Sequence, residues 1–152
     1  MNKEKFISQI QEYKREMFLL AFSIVKNYHD AEDAVAETLL KSYEKLDSLK
    51  NKEQFKFWIM QILANNSKMI LRKNKKLVCV DEMDAYLPEK TENNSVVWES
   101  VLSLEDELRI IVILYYYQGF KVKEISKIVG IPEGTVKSQL SVARKKLKVL
   151  LG

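Results

Sequence analysis

The scarcity of chain-breaking residues is the feature that most limits what this sequence can fold into. Only four glycines and two prolines occur among its 152 residues, so few positions favour a turn over continued regular structure. Apolar residues recur at helical spacing over long stretches, and no stretch alternates apolar and polar residues as a half-buried strand does. The sequence therefore predicts an all-α protein with long helices.

Charge divides the sequence into three parts. Residues 1–76 contain 15 Lys/Arg and 10 Asp/Glu. Residues 77–98 contain one Lys/Arg and five Asp/Glu, and residues 99–152 contain nine Lys/Arg and six Asp/Glu. The net charges are therefore +5, −4 and +3. An acidic segment between two basic ones is typical of two domains and a connecting linker. We expect helical domains at 1–76 and 99–152 and an acidic linker at 77–98.

Spacing and capping signals predict where the helices begin and end. The predicted helices cover residues 3–26, a second helix with Asp30 as its N-cap, residues 54–73, a helix from a capping box at Ser103–Asp106 to Gly119, residues 122–129, and a last helix from about Glu133. The third of these is expected to turn Phe55, Trp58, Ile59, Ile62 and Met69 inward.

The last two predicted helices form a helix-turn-helix pattern, in which a turn containing glycine precedes a basic helix. An apolar stripe on the last helix recurs at steps of three and four, at Val136, Leu140, Ala143, Leu147 and Leu150. Polar and cationic residues lie outside it: Thr135, Lys137, Ser138, Ser141, Arg144, Lys145 and Lys148. Side chains near the start of such a helix can contact base edges, and the cations farther along the helix can contact phosphates. The alternative is a solvated face that complements the helix dipole, which needs only one or two cations.

A second basic stretch ends the third predicted helix. Its five cations, with no acid among them, are Lys68, Arg72, Lys73, Lys75 and Lys76. Phe55, Phe57 and Trp58 precede it, and aromatic rings beside cations suit single-stranded nucleic acid. The alternatives are that Phe55 and Trp58 belong to the core and that the cations are an ordinary lysine-rich helix end.

Signals for catalysis, for membrane insertion and for disulfides are missing from the sequence. His29 is its only histidine, and it contains no Glu-x-x-His pair, glycine-rich phosphate loop or nucleophile elbow. Cys79 is a single cysteine, the N-terminus is charged throughout, and no apolar run reaches the roughly 18–20 residues that span a bilayer. We expect a cytoplasmic, non-enzymatic protein without a metal or other cofactor and without direct membrane insertion.

Three segments, taken in order, resemble one protein family. They are DAEDAVAETLLKSYEKL from Asp30, FKFWIMQILANNSKMILRKNKK from Phe55 and LSLEDELRIIVILYYYQGFKVKEISKIVGIPEGTVKSQLSVARKKL from Leu102. The combination is similar to the extracytoplasmic-function (ECF) group of bacterial RNA polymerase sigma factors, the first two segments to region two and the third to region four. The resemblance implies a protein that directs RNA polymerase to specific promoters and assists promoter opening.

The resemblance also implies partners and site residues. Core RNA polymerase would bind the acidic residues Glu32, Asp33 and Glu37. Promoter DNA, double-stranded and locally melted, would contact the downstream set at its minus-ten element, namely Lys50, Asn51, Lys52, Asn65, Lys68, Arg72 and Lys73. The minus-thirty-five element would contact the upstream set, namely Thr135, Lys137, Ser138, Ser141, Arg144 and Lys145. Many members of the group also bind an anti-sigma factor.

The sequence departs from the family pattern at several positions. Ala36 and Leu39 replace a usual Gln and Phe, and Met69 replaces a common Asp. Gln139 and Val142 stand where Arg is frequent, which lowers the expected number of phosphate contacts. The alternative function is a stand-alone helix-turn-helix regulator that binds an operator as a dimer.

Overall fold

The computed structural model describes residues 1–74 and 92–152, without the side chains of residues 92–95. The chain divides into two compact units, Met1–Tyr86 and Leu87–Gly152. Every regular element in the described ranges is helical, which confirms the predicted all-α fold. Lys75, Lys76, Cys79 and residues 77–91 of the predicted linker lie outside the described residues.

The first unit consists of three long helices that pack against one another in pairs. Its helices are α1 (Lys3–Val25), α2 (Tyr28–Glu44) and α3 (Phe55–Asn74), and two single 3-10 turns, Leu46–Ser48 and Lys52–Gln54, connect α2 to α3. Helix α1 ends one residue before the predicted position, and α3 is displaced by one residue at each end.

Phe55 lies at the centre of the aromatic core of this unit. Its side chain is 1% exposed, and its ring centroid lies 6.0 Å from Phe6, 6.3 Å from Tyr13 and 5.9 Å from Trp58. The core interpretation of Phe55 is therefore confirmed. The inward prediction for Met69 is wrong, because that side chain is 58% exposed.

The N-cap of α2 is Asn27 rather than the predicted Asp30. The Asn27 side chain accepts a hydrogen bond of 2.9 Å from the backbone N–H of Asp30. Asp30 lies in the first turn, is buried, and accepts a 3.2 Å hydrogen bond from Asn74 at the end of α3. The carboxylate thus joins two helix ends instead of capping its own.

The second unit contains α4 (Glu92–Leu102), α5 (Asp106–Val112), α6 (Val122–Val129) and α7 (Glu133–Leu151). A single π-helical turn, Ile113–Tyr117, continues α5. Helix α4 begins inside the predicted linker, so the last seven residues of 77–98 are helical rather than connecting. Trp98 anchors this helix, being 3% exposed with its ring 5.1 Å from that of Tyr117.

The predicted capping box at Ser103–Asp106 does not form. The Ser103 hydroxyl donates instead to the Ser100 carbonyl at 2.7 Å, and no side chain caps α5. The buried Arg109 stabilises this corner, since Nη1 donates to the Leu104 carbonyl at 3.3 Å and Nη2 to Asp106 at 2.9 Å. The start of α5 therefore has no side-chain cap, and the buried guanidinium stabilises the corner by donating to a carbonyl and a carboxylate.

The turn between α6 and α7 matches its prediction, with Gly130 ending α6 in the left-handed conformation at φ 76°. The backbone N–H groups of Gly130 and Ile131 both donate to the Ser126 carbonyl, at 2.9 and 3.2 Å. The Ser126 hydroxyl donates in turn to the Ile131 carbonyl at 2.5 Å. This glycine C-cap pins the chain where α7 begins.

Replacing Gly130 with alanine should destabilise the second unit by about 1–2 kcal/mol, because an L-residue pays that amount in the left-handed region. A Cβ at this position would meet nothing within 4 Å, so the cost is conformational only. Gly134→Ala is the matched control: Gly134 lies in α7 without a positive φ, and alanine there should stabilise by about 0.5–1 kcal/mol. Urea unfolding measures both, and a shift of the same sign for both would contradict this account.

Candidate nucleic-acid interface

Helix α7 has a buried apolar face and a polar face. Val136, Leu140 and Ala143 are buried, whereas Leu147 is half-buried and Leu150 exposed. The predicted apolar stripe is therefore confirmed in its first part and fails at Leu150.

All six residues of the upstream set lie on α7. Lys137, Ser138, Arg144 and Lys145 are exposed, and Thr135 and Ser141 are half-buried. Helical spacing turns Ser138, Ser141 and Lys145 away from the buried face. The Ser138 hydroxyl donates to the Gly134 carbonyl at 3.0 Å, so its oxygen can still accept a bond from outside the helix.

Three side chains of α7, one of them from the upstream set, form hydrogen bonds to the preceding elements. The Gln139 amide donates to Glu107 at 3.4 Å, and its Oε1 is buried. Lys146 donates to Glu105 at 2.8 Å. Arg144 donates to the hydroxyl of Tyr116 at 2.6 Å. Gln139 and Lys146 therefore contact the start of α5, and Arg144 contacts the π-helical turn that follows it.

The downstream set lies in two places in the first unit. Lys50, Asn51 and Lys52 are exposed in the segment around the second 3-10 turn. The Asn51 side-chain oxygen accepts a bond of 3.0 Å from the N–H of Glu53, so it caps this turn and orders the segment. The sequence had predicted only a DNA contact for Asn51.

The remaining four residues of the downstream set form the cationic face of α3, namely Asn65, Lys68, Arg72 and Lys73. Asn65, Arg72 and Lys73 are exposed and Lys68 is half-buried, and their spacing brings Asn65, Lys68 and Arg72 to one side of the helix. Burial, followed by repulsion from Arg72, lowers the pKa of Lys68. A phosphate beside Lys68 would offset both effects.

Glu32, Asp33 and Glu37 form the acidic face of α2, and all three are exposed. Asp33 lies 3.7 Å from the exposed His29 and Glu37 lies 3.6 Å from Lys41. Leu40 follows on the same side of the helix with 66% of its side chain exposed. The predicted acidic surface is thus acidic and apolar together, which the sequence analysis missed although Leu40 has the spacing to continue this face.

A polar connection between α2 and α3 also escaped prediction. Asn66 is buried and donates to the hydroxyl of Thr38 at 3.0 Å, and it accepts from Lys41 at 3.1 Å. The Thr38 hydroxyl donates to the Ala34 carbonyl at 2.7 Å. Helical spacing from Ile59 and Leu63 places Asn66 on the buried face, and that was the available signal.

Neither a metal centre nor a membrane span was predicted. Within residues 1–74 and 92–152, no three His, Cys, Asp or Glu side chains group in a way that could hold a metal ion. Across the same described ranges, no helix combines the length and apolar character that crossing a bilayer requires.

Comparison with known families and proteins places both units. Residues 9–77 match the family described as Sigma-70 region 2, and residues 96–147 match Sigma-70, region 4. The chain is 32% identical to the RNA polymerase sigma factor SigV of Bacillus subtilis (strain 168), over 98% of this chain and 92% of that protein. It is 30% identical to the ECF RNA polymerase sigma factor SigM of the same strain, over 92% of this chain and 91% of that protein.

A solved structure resembles the whole chain. The sigma factor RpoE from Bartonella quintana, crystallised with the anti-sigma factor NepR, superposes with a TM-score of 0.72 at 26% identity. The superposition covers 97% of both chains. Fold and sequence therefore both point to sigma factors.

Proposed function

Because the chain belongs to the ECF group of RNA polymerase sigma factors, we propose that it directs RNA polymerase to specific promoters and assists their opening. The observation that carries this proposal is the ordered pair of matches, region 2 at residues 9–77 and region 4 at 96–147. An operator-binding dimer is not favoured. The first half of such a regulator would have to supply dimerisation or ligand sensing, whereas the first half of this chain matches region 2.

Each exposed surface has a proposed partner. The acidic face of α2 binds core polymerase through its carboxylates, with Leu40 as an apolar contact beside them. The cationic face of α3 and the segment at Lys50–Lys52 bind the minus-ten element, where bases become unpaired. Helix α7 binds the minus-thirty-five element. Residues 1–76 and the helices from α4 onward then act as two DNA-binding domains, joined by the part of 77–98 that precedes α4.

Further partners and properties follow from the same membership. An anti-sigma factor is a proposed partner, because the similar RpoE was crystallised with one. The protein acts in the cytoplasm, where RNA polymerase works, and it carries out no chemical reaction of its own. Its contribution is selective binding, which needs neither a metal nor a cofactor.

Run-off transcription across a random promoter pool tests the proposal. Purified chain is added to core polymerase, and transcripts are compared with those from core polymerase alone. Discrete start sites that depend on the chain, with the chain retained on core polymerase in a pull-down, would support the function. Unchanged initiation at every template, together with an operator footprint from the chain alone, would support the operator-binding dimer instead.

Lys68 should make promoter binding sensitive to alkaline pH. Its pKa is lowered in the free protein, and a neighbouring phosphate raises it again. Binding therefore takes up a proton, and affinity falls as pH rises through the free-protein pKa. Because arginine stays protonated, we expect the affinity of Lys68→Arg to fall less than that of the natural chain when the pH is raised into the alkaline range. Filter binding of the holoenzyme to promoter DNA measures this.

The exposed Lys73 provides the matched control for this pH dependence. Lys73→Arg makes the same chemical change near the end of the same helix and should leave the pH profile as in the natural chain. Identical profiles for Lys68→Arg and the natural chain would contradict a phosphate contact at Lys68.

A further inference from the structure

Arg144 is held on the surface of α7 by a tyrosine from another element. Its Nε donates to the hydroxyl oxygen of Tyr116 at 2.6 Å, and its guanidinium carbon lies 5.9 Å from the centre of that ring. The two residues are 28 positions apart in the chain. The guanidinium therefore has both a hydrogen-bond acceptor and an aromatic ring beside it although the residue is exposed.

The position of Tyr116 depends on the π-helical turn Ile113–Tyr117. The Gln118 N–H donates to the Ile113 carbonyl at 3.0 Å, five residues back, which widens the helix by one residue. Tyr116 is further supported by Tyr115, whose ring meets it edge to face at 4.9 Å. The acceptor for Arg144 is thus fixed by backbone and ring contacts rather than by a mobile loop.

The bond through Nε leaves the outer edge of the guanidinium available. Nη1 and Nη2 are the pair that contacts a phosphate or carboxylate with two parallel bonds. An exposed arginine loses considerable rotamer freedom when it binds, and a group already oriented loses less. The arrangement suits an arginine that must meet a phosphate at a defined place.

We propose that Tyr116 is a positioning residue for DNA binding, which holds Arg144 so that its Nη1 and Nη2 meet a backbone phosphate of the upstream element. This inference rests on the proposed function, because it requires α7 to bind DNA. Tyr116 contributes through Arg144 and not through a contact of its own. The Arg144–Tyr116 pair then acts as one unit in binding.

A double-mutant cycle on the holoenzyme tests the inference, with the affinity for a promoter fragment selected in the run-off experiment as the readout. Tyr116→Phe keeps the ring and removes the hydroxyl, and we expect it to weaken binding about threefold. Arg144→Ala should weaken binding further and reduce the slope of log K against log salt by about 0.9, as for one lost phosphate contact. In the Arg144→Ala background, Tyr116→Phe should have no effect.

Each other outcome identifies what is wrong. An unchanged affinity and salt slope for Arg144→Ala would overturn the proposed phosphate contact itself. A normal loss for Arg144→Ala with no effect of Tyr116→Phe, or an equal effect of Tyr116→Phe in both backgrounds, would overturn only the positioning role. Tyr117→Phe is the matched control, since its ring packs on Trp98, and it should leave affinity unchanged.

Discussion

Replacing Lys137 and Ser138 together with alanine should lower transcription from promoters that need the upstream element by about 100-fold, because each contact to a base edge is worth about 1–3 kcal/mol. Both side chains are exposed near the start of α7, where a helix inserted in the major groove reaches the bases. Neither takes part in the buried stripe, so folding should be unaffected. Run-off transcription with and without the upstream element measures the effect.

Lys146→Ala is the control for lost charge in this experiment. It removes the same charge from the same helix, but the Lys146 ammonium is paired with Glu105 at 2.8 Å. Lys146 also lies three residues after Ala143, which belongs to the buried face. Transcription should remain within about twofold of the natural chain, as for a surface change. A comparable loss in Lys146→Ala would mean that net charge and not position decides binding.

Replacing Phe55 with alanine should destabilise the first unit by about 3–5 kcal/mol, the usual cost of deleting a buried aromatic ring. The ring is 1% exposed and contacts the rings of Phe6, Tyr13 and Trp58, so α1 and α3 lose part of their shared core. Because small domains have an unfolding free energy of only about 5–15 kcal/mol, this variant should be close to unfolding. Amide hydrogen exchange in α1, α2 and α3 measures the loss.

Leu40→Ala provides the comparison for Phe55→Ala. Leu40 belongs to the same unit but is 66% exposed, so its truncation should change stability by no more than about 0.5 kcal/mol. Binding to core polymerase should fall nevertheless if Leu40 contacts the polymerase as proposed. Equal protection of the amides in Phe55→Ala and the natural chain would contradict the central role of that ring.

Local signals predicted those parts of the fold that local chemistry decides. Gly130 and Pro132 mark the turn between α6 and α7, and both helices lie where the sequence placed them. Asn27 and Asp30 are equally good caps for α2 as residue types. Asn27 takes the cap, and Asp30 instead accepts a bond from Asn74 at the end of α3, a contact that a reading of neighbouring residues could not include.

In the candidate surfaces, too, local features were predictable and contacts between distant elements were not. Cations such as Lys137 and Arg72 were predictable because exposed charge on one helical face follows from spacing alone. The partner of Arg144 was not, since Tyr116 reaches it through a π-helical turn that no residue pattern announced. Arg109 likewise stabilises the corner that a serine was expected to cap, because its burial depends on packing between elements.

The bonds that Asn66 makes to Thr38 and Lys41 fix the position of α3 along α2 in the first unit. Apolar helices can slide by a turn with little change in buried area, whereas directional bonds between buried side chains are satisfied in one register. Asn65 is the neighbour of Asn66 on α3, and Glu37 pairs with Lys41 on α2. The acidic face and the cationic face therefore keep a constant offset along the two helices. An RNA polymerase bound to the acidic face and a promoter bound to the cationic face, as proposed, would therefore keep a fixed spacing.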